Sequence, residues 1–201
     1  MKHPSTRAVF DYWNTQRANR PAPARADIDP SAIRHVLGDT FMLSADFVDQ
    51  LRFRLAGTRV CALFGREIKG EAFTSLWEES SRRAVEELLS IVSDEAGGTV
   101  AGILARTETR AEAELEMLLL PLAHTGHARI RALGVLAPTV PPYWLGDQAV
   151  ATLELTALRH IGPEVVGRGV PRFGRAEAHR MRHGFVVYSG GRETPSGDQT
   201  G

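Results

Sequence analysis

The run Phe53-Arg54-Leu55-Ala56-Gly57-Thr58, continued by Cys61-Ala62-Leu63-Phe64-Gly65-Arg66-Glu67-Ile68-Lys69-Gly70, constrains this chain more than any other stretch. Phe53 and Leu55 alternate with Arg52 and Arg54, which predicts a strand with one apolar and one charged face. Gly57 ends that strand. A short helical segment follows at once and is stopped by Gly65 and Gly70, since glycine adopts backbone angles closed to other residues. The stretch therefore reads as a strand running into a very short helix. It carries no catalytic signature.

The rest of the chain can be ordered around it. Ser5 to Arg17 reads as a helix capped by Ser5, with Val9, Phe10, Trp13 and Arg17 at helical spacing. A stripe that narrow must lie on something to be stable. Pro21-Ala22-Pro23-Ala24 is an extended connector. Asp29-Pro30 opens a short helix, with Asp29 as cap and proline at the first position. Thr40 to Ala45 and Leu51 to Ala56 form a hairpin around Asp46 to Gln50. Ser75 and Glu78 stand three apart, as in a capping box, and open a helix to about Asp94 with Val85, Leu88, Leu89 and Val92 as its buried stripe.

Gly97-Gly98 then gives way to three strands, Thr99 to Arg106, Glu112 to Ala123 and Ala128 to Ala137. Val150 to Ile161 is apolar and fits helix or strand. From Gly162 the chain is rich in Gly, Arg and Pro, with one apolar island at Phe185-Val186-Val187-Tyr188, and is expected to be largely mobile. The expected division is an N-terminal helix and linker over 1–26, a domain over 27–142, its extension over 143–161 and the tail over 162–201.

The order of strand, strand, helices, then three strands, together with Asp27-Ile28-Asp29-Pro30, Phe53 to Thr58, Leu63-Phe64-Gly65-Arg66-Glu67 and Leu76-Trp77, resembles a family of bacterial PAS-like domains common in alphaproteobacteria. The tail motif Val187-Tyr188-Ser189-Gly190-Gly191-Arg192 is similar to one near the end of such proteins. The resemblance covers roughly Ser5 to Pro138. It implies an α+β fold: a five-stranded antiparallel sheet in the order 2-1-5-4-3, short helices on one face and an N-terminal capping helix. It also implies a ligand on the helical side, and dimer or partner contacts through the opposite face.

Strand register turns that implication into residues. With Thr125-Gly126 at the centre of a tight hairpin, Met117 would face Gly134 and Leu119 would face Ala132. With Glu112 opposite Arg106, Met117 would neighbour Ala101. The small residues would then leave an apolar cavity rimmed by Phe53, Cys61, Phe64, Trp77, Met117 and Gly134. The opposing expectation is that Phe64 and Trp77 fill the space, since interiors pack to crystal density. The other sheet face carries Leu118, Leu120 and Leu133. Phe10 and Trp13 of the first helix would cover it, a second copy of the chain would dock there, or both.

Other chemistry finds little support. Cys61 sits where flavin-binding PAS domains place a reactive cysteine, but Val60-Cys61-Ala62-Leu63-Phe64 lacks their polar partners, and burial as a small hydrophobe is the expectation. Glu78 to Asp94 contains no histidine to serve as a haem ligand. His124 with His127, and His179 with His183, have no evident third metal ligand. Glu112, Glu114 and Glu116 read as a solvated row that discourages edge pairing. Lys and Arg number 24 against 24 Asp and Glu, so no global field recruits nucleic acid or an anionic membrane. The Arg-rich tail has little aromatic interleaving for RNA. Cys61 stands alone, which excludes an internal disulfide and fits a reducing compartment. The first residues form no apolar run long enough for a signal peptide or a membrane span.

The expectation is a cytoplasmic, non-enzymatic sensory or regulatory module without metal or cofactor. It would be a homodimer that binds a small apolar ligand or a signalling partner. A structural adaptor with a solid core and a small α+β pocket enzyme are the rival classes.

Overall fold

Leu115, Met117 and Leu119 alternate with Leu118 and Leu120, and the two sets feed two different hydrophobic cores. A strand apolar on both faces must be covered on both. The computed structural model shows how; it describes residues 1–45, 51–94, 97–123 and 130–161.

The regular elements are α1 (Pro4–Arg17), β1 (Thr40–Ala45), β2 (Arg52–Ala56), α2 (Thr58–Phe64), α3 (Glu79–Asp94), β3 (Gly98–Thr107), β4 (Glu112–Pro121), β5 (Ile130–Pro138) and β6 (Val150–Ile161). The strands form one antiparallel sheet in the order β2-β1-β5-β4-β3-β6. This is the expected 2-1-5-4-3 arrangement, extended by a sixth strand on the edge of β3. The segment 150–161, open between helix and strand in the sequence, is that strand.

On one face α2, α3 and the 3-10 turn Phe73–Leu76 bury Val60, Leu63, Phe64, Leu76, Trp77, Val85, Leu88 and Val92 against the sheet. Gly65 accepts the left-handed conformation that closes α2, at φ 62°. On the other face α1 packs across β4 and β5, and the 3-10 turns Arg25–Asp27 and Pro30–Ile33 lie beside it. The molecule is thus three layers with the sheet in the middle.

Three local expectations change. Ser5 is not the cap of α1: the Nδ1 of His3 accepts from the Ser5 amide, with Pro4 at the first turn. The Ser75–Glu78 spacing does not make a capping box. Ser75 donates to the Ala72 carbonyl and Trp77 is extended, so the chain breaks before α3 starts at Glu79. Glu78 is drawn away instead to Arg106, which also pairs with Glu112 and Glu154 and so ties β3, β4 and β6 to the entry of α3. Finally, the β4–β5 register differs by two residues: Met117 faces Leu136, and Leu119 faces Gly134. A two-residue slip preserves the faces but changes every neighbour. The β3–β4 register, with Met117 opposite Ala101, is as expected.

The loop 46–50, the turn 124–127 with its histidines and the tail from 162 lie outside the described residues.

Gly57 does more than end β2. Its amide donates to the Thr40 carbonyl at 2.7 Å, and a Cβ there would overlap the carbonyl oxygens of Leu37 and Gly38. Backbone cannot yield as a side-chain tip can. Gly57→Ala is expected to lower stability by about 1–3 kcal/mol, as overpacking does, measured by urea unfolding. An unchanged midpoint would show that the 37–38 turn moves freely.

Candidate functional site

On the helical side, Phe53, Phe64, Trp77 and Met117 are each no more than 2% exposed and belong to one core cluster. Cys61 packs against it half-buried. The space assigned to Gly134 is occupied: the Phe41 ring lies where a Gly134 side chain would be. Phe41 in turn sits 5.5 Å from the Phe53 ring and 6.0 Å from Phe73, which is 5.7 Å from Trp77. Gly134 therefore admits an aromatic plug rather than a void. This follows from the β1–β5 register, in which Phe41 pairs directly with Gly134.

Two features of this core were not read from the sequence. Trp144, in the Pro-rich connection after β5, folds inward and is 2% exposed. The signal was available, since a tryptophan after Pro141-Pro142-Tyr143 is a costly residue to leave in solvent. Second, among the described residues neither the Trp77 nor the Trp144 Nε1 meets an acceptor. An unmade hydrogen bond at a buried donor costs about 1–3 kcal/mol, and buried indoles normally find a partner.

Cys61 makes long contacts to the Ala56 carbonyl, at 3.9 Å, and to Glu67 Oε1, at 3.7 Å. Burial pushes its thiol up, and the Glu67 carboxylate adds to the effect. The neutral thiol is a poor nucleophile. Among the described residues no three His, Cys, Asp or Glu side chains gather as a metal site requires, and no helix is long and apolar enough to cross a membrane.

The outer face is built differently. Val9 and Trp13 of α1 cover Leu118, Leu120 and Leu133, all buried, and Trp13 Nε1 donates to the Pro121 carbonyl at 2.8 Å. The helix is therefore the cover of this face. Phe10, stacked 6.3 Å from Trp13, remains half-exposed. A partner cannot touch Leu118 or Leu120 while α1 is in place.

Two buried carboxylates fasten the start of α1. Glu116 is not the solvated acid its spacing suggested; only Glu112 and Glu114 are exposed. It accepts from the Lys2 amide at 2.6 Å, the His3 amide at 2.8 Å and the Thr6 hydroxyl. Asp39 accepts from the Ser5 hydroxyl at 2.6 Å and from the Arg59 guanidinium at 2.5 and 2.8 Å. Burial pushes both acids up. The Arg59 and Ser5 hydrogen bonds outweigh it at Asp39, and the Thr6, Lys2 and His3 hydrogen bonds outweigh it at Glu116. Both carboxyls are held below the usual carboxylate range.

The match to known proteins follows this geometry. The PAS domain family model matches residues 1–137, a span that runs from α1 to the end of β5. This chain belongs to the PAS domain family. Three solved structures are similar to it. One is a light-oxygen-voltage domain from a study of a flavin analogue, 12% identical, covering 56% of this chain and 85% of that one at a TM-score of 0.44. Another is the dark-state LOV domain of the blue-light photoreceptor Aureochrome1, 15% identical, covering 58% and 88% at 0.43. A third is the PAS domain of a protein from Colwellia psychrerythraea, 14% identical, covering 55% and 97% at 0.39. No curated protein matches. Within the PAS fold, β6 and the inward-turned Trp144 lie beyond the family match.

Because the folded-state values of Asp39 and Glu116 are depressed, their contribution is complete above the usual carboxylate range. It is lost as pH falls through the folded values, which lie below that range. The α1 dock is expected to weaken there, seen as a change in Trp13 fluorescence before global unfolding. Glu116→Gln is expected to cost about 1–3 kcal/mol and to shrink that acid transition. A transition identical in E116Q and wild type would remove Glu116 from the clasp.

Proposed function

We propose that this PAS domain is a non-enzymatic sensory or regulatory module. Its input is a small, mostly apolar ligand with a hydrogen-bond acceptor, taken up in the helix-side core near Phe53, Cys61, Phe64, Trp77, Met117 and Gly134. Its output is contact with a partner protein or a second copy of the chain. The observation that carries this reading is the pair of buried indole N–H groups of Trp77 and Trp144, which find no acceptor among the described residues. A ligand acceptor would satisfy what the folded chain leaves open.

The output runs through α1. Phe10 and Trp13 face Leu118, Leu120 and Leu133, and the helix is held by a few polar contacts at one end. A ligand that binds one arrangement of core and helix better than another shifts the population between docked and released α1. Release exposes the apolar sheet face for a homodimer or a signalling partner.

A second reading has its own observation. The Phe41 plug over Gly134 favours a solid core and hence a structural adaptor that binds only proteins.

A thermal-shift screen on the full chain, with native mass spectrometry for stoichiometry, separates the two. The sensory reading predicts a compound that stabilises the fold by about 2.7 kcal/mol at a hundred times its Kd, or roughly 5–10 °C. Trp77→Phe, which removes only the donor and part of the ring, should reduce that response at least tenfold in affinity. No shift from any acceptor-bearing apolar compound, or an unaltered response in W77F, would leave the adaptor standing.

A further inference from the structure

The corner of the outer face that α1 does not cover holds two adjoining recesses. The first, about 250 Å³, lies between the turns at 25–33 and the β1–β2 pair, and is lined by Ile28, Ile33, Leu55 and Leu133. The second, about 440 Å³, is ringed by Arg25, Arg54, Lys69 and Arg131. Arg25, Met42 and Leu55 line both, so one ligand can span them. Among the described residues, neither recess has an acidic side chain in its wall.

The strand geometry explains why these residues meet. Met42 pairs with Leu55 on one side and Leu133 on the other, and Ser44 pairs with Arg131. The register shifts between Met42 and Leu43, so Arg54 is the extra residue of a bulge. Bulges re-aim side chains at sheet edges, and this one leaves Arg54 at the recess. Leu55 is 51% exposed, an unusual place for a large apolar side chain beside four cations.

What sets this corner apart is that four cations gather round one recess. The chain has no net charge. Several arginines elsewhere are matched by acid: Arg20 with Asp27, Arg59 with Asp39, Arg66 with Glu71, and Arg106 with three glutamates. Arg54, Lys69 and Arg131 have no ion pair among the described residues, and Arg25 reaches only the Ile28 carbonyl at 3.4 Å. Nearby Asp29 is engaged by Ser31, and the Glu67 carboxylate accepts from the Lys69 amide.

We propose that this corner binds a single-chain anionic amphiphile, its apolar chain along Ile33, Leu55 and Leu133 and its carboxylate or phosphate among Arg25, Arg54, Lys69 and Arg131. The chemistry decides between occupants. An apolar groove opening onto unpaired cations matches one molecule with an apolar body and an anionic end. The chain's own tail beyond 162 carries six arginines against four acids, and that net positive charge disfavours it as the occupant. The apolar recess is near the lower size limit of small-molecule sites, roughly 300 Å³. That suits one short chain and not a two-chain lipid. This site is on the opposite sheet face from Trp77 and Trp144, so it stands or falls independently of the sensory reading.

The test is titration of the full chain with decanoate, decyl phosphate and decanol, followed by calorimetry and native mass spectrometry. Both anions are expected to bind once per chain, with decanol at least tenfold weaker. Arg54→Glu and Lys69→Glu are expected to weaken decanoate at least tenfold while leaving the circular dichroism spectrum unchanged, and added salt should weaken wild-type binding. Trp77→Phe should leave it unaltered. Equal binding of decanol, or no loss in R54E and K69E, would overturn the site. So would sedimentation with phosphatidylglycerol vesicles without saturable binding of decanoate, which would assign the patch to a membrane surface. A misfolded R54E leaves K69E and the decanol comparison to decide.

Discussion

The central strands of this protein are buried on both faces, and that single constraint organises the rest. Leu118 and Leu120 are fully buried beneath α1, while Leu115, Met117 and Leu119 are buried beneath the α2–α3 layer. Without α1 a row of leucines would face water. Burying each is worth about 1.5–3 kcal/mol, so the helix is part of the fold rather than an appendage. The family match, which begins at residue 1, includes it.

The means of holding α1 differ along its length. Val9 and Trp13 contribute the apolar contact, and Trp13 adds one hydrogen bond to β4. At its start the helix is fixed by Glu116 and Asp39, two acids that would be expensive to bury alone. Each is satisfied by several donors, and Asp39 also links α1 to α2 through Arg59. A helix with a uniform greasy contact is hard to release in steps. One held at its start by a few charge-assisted bonds has a defined latch. This is the physical content behind assigning the output to α1.

Much of the architecture was legible in the chain. Alternation over Glu112 to Met117 assigned the faces correctly, and Phe53 to Gly70 gave the strand, the short helix and its stop. What escaped was set by distance in sequence. Spacing placed Glu116 in a solvated row, but its donors come from Lys2, His3 and Thr6, more than a hundred residues away. The Gly134 environment depended on a register that differs from a tight Thr125-Gly126 turn by two residues, and on Phe41, which no local pattern links to it. Ser75 and Glu78 had the spacing of a cap, yet Arg106 offered Glu78 a stronger partner from β3. The cationic corner required a bulge between Met42 and Leu43, and alternation alone cannot reveal one.

The account depends most on α1 being a separately releasable unit clasped by Glu116 and Asp39. Native-state hydrogen exchange of the full chain tests this directly. The prediction is that amides from Val9 to Arg17 open at a lower free energy than those of β4 and β5, and that Glu116→Gln lowers protection in α1 alone. Exchange of α1 only together with β4, through global unfolding, would contradict the account and leave the helix as an inert third layer.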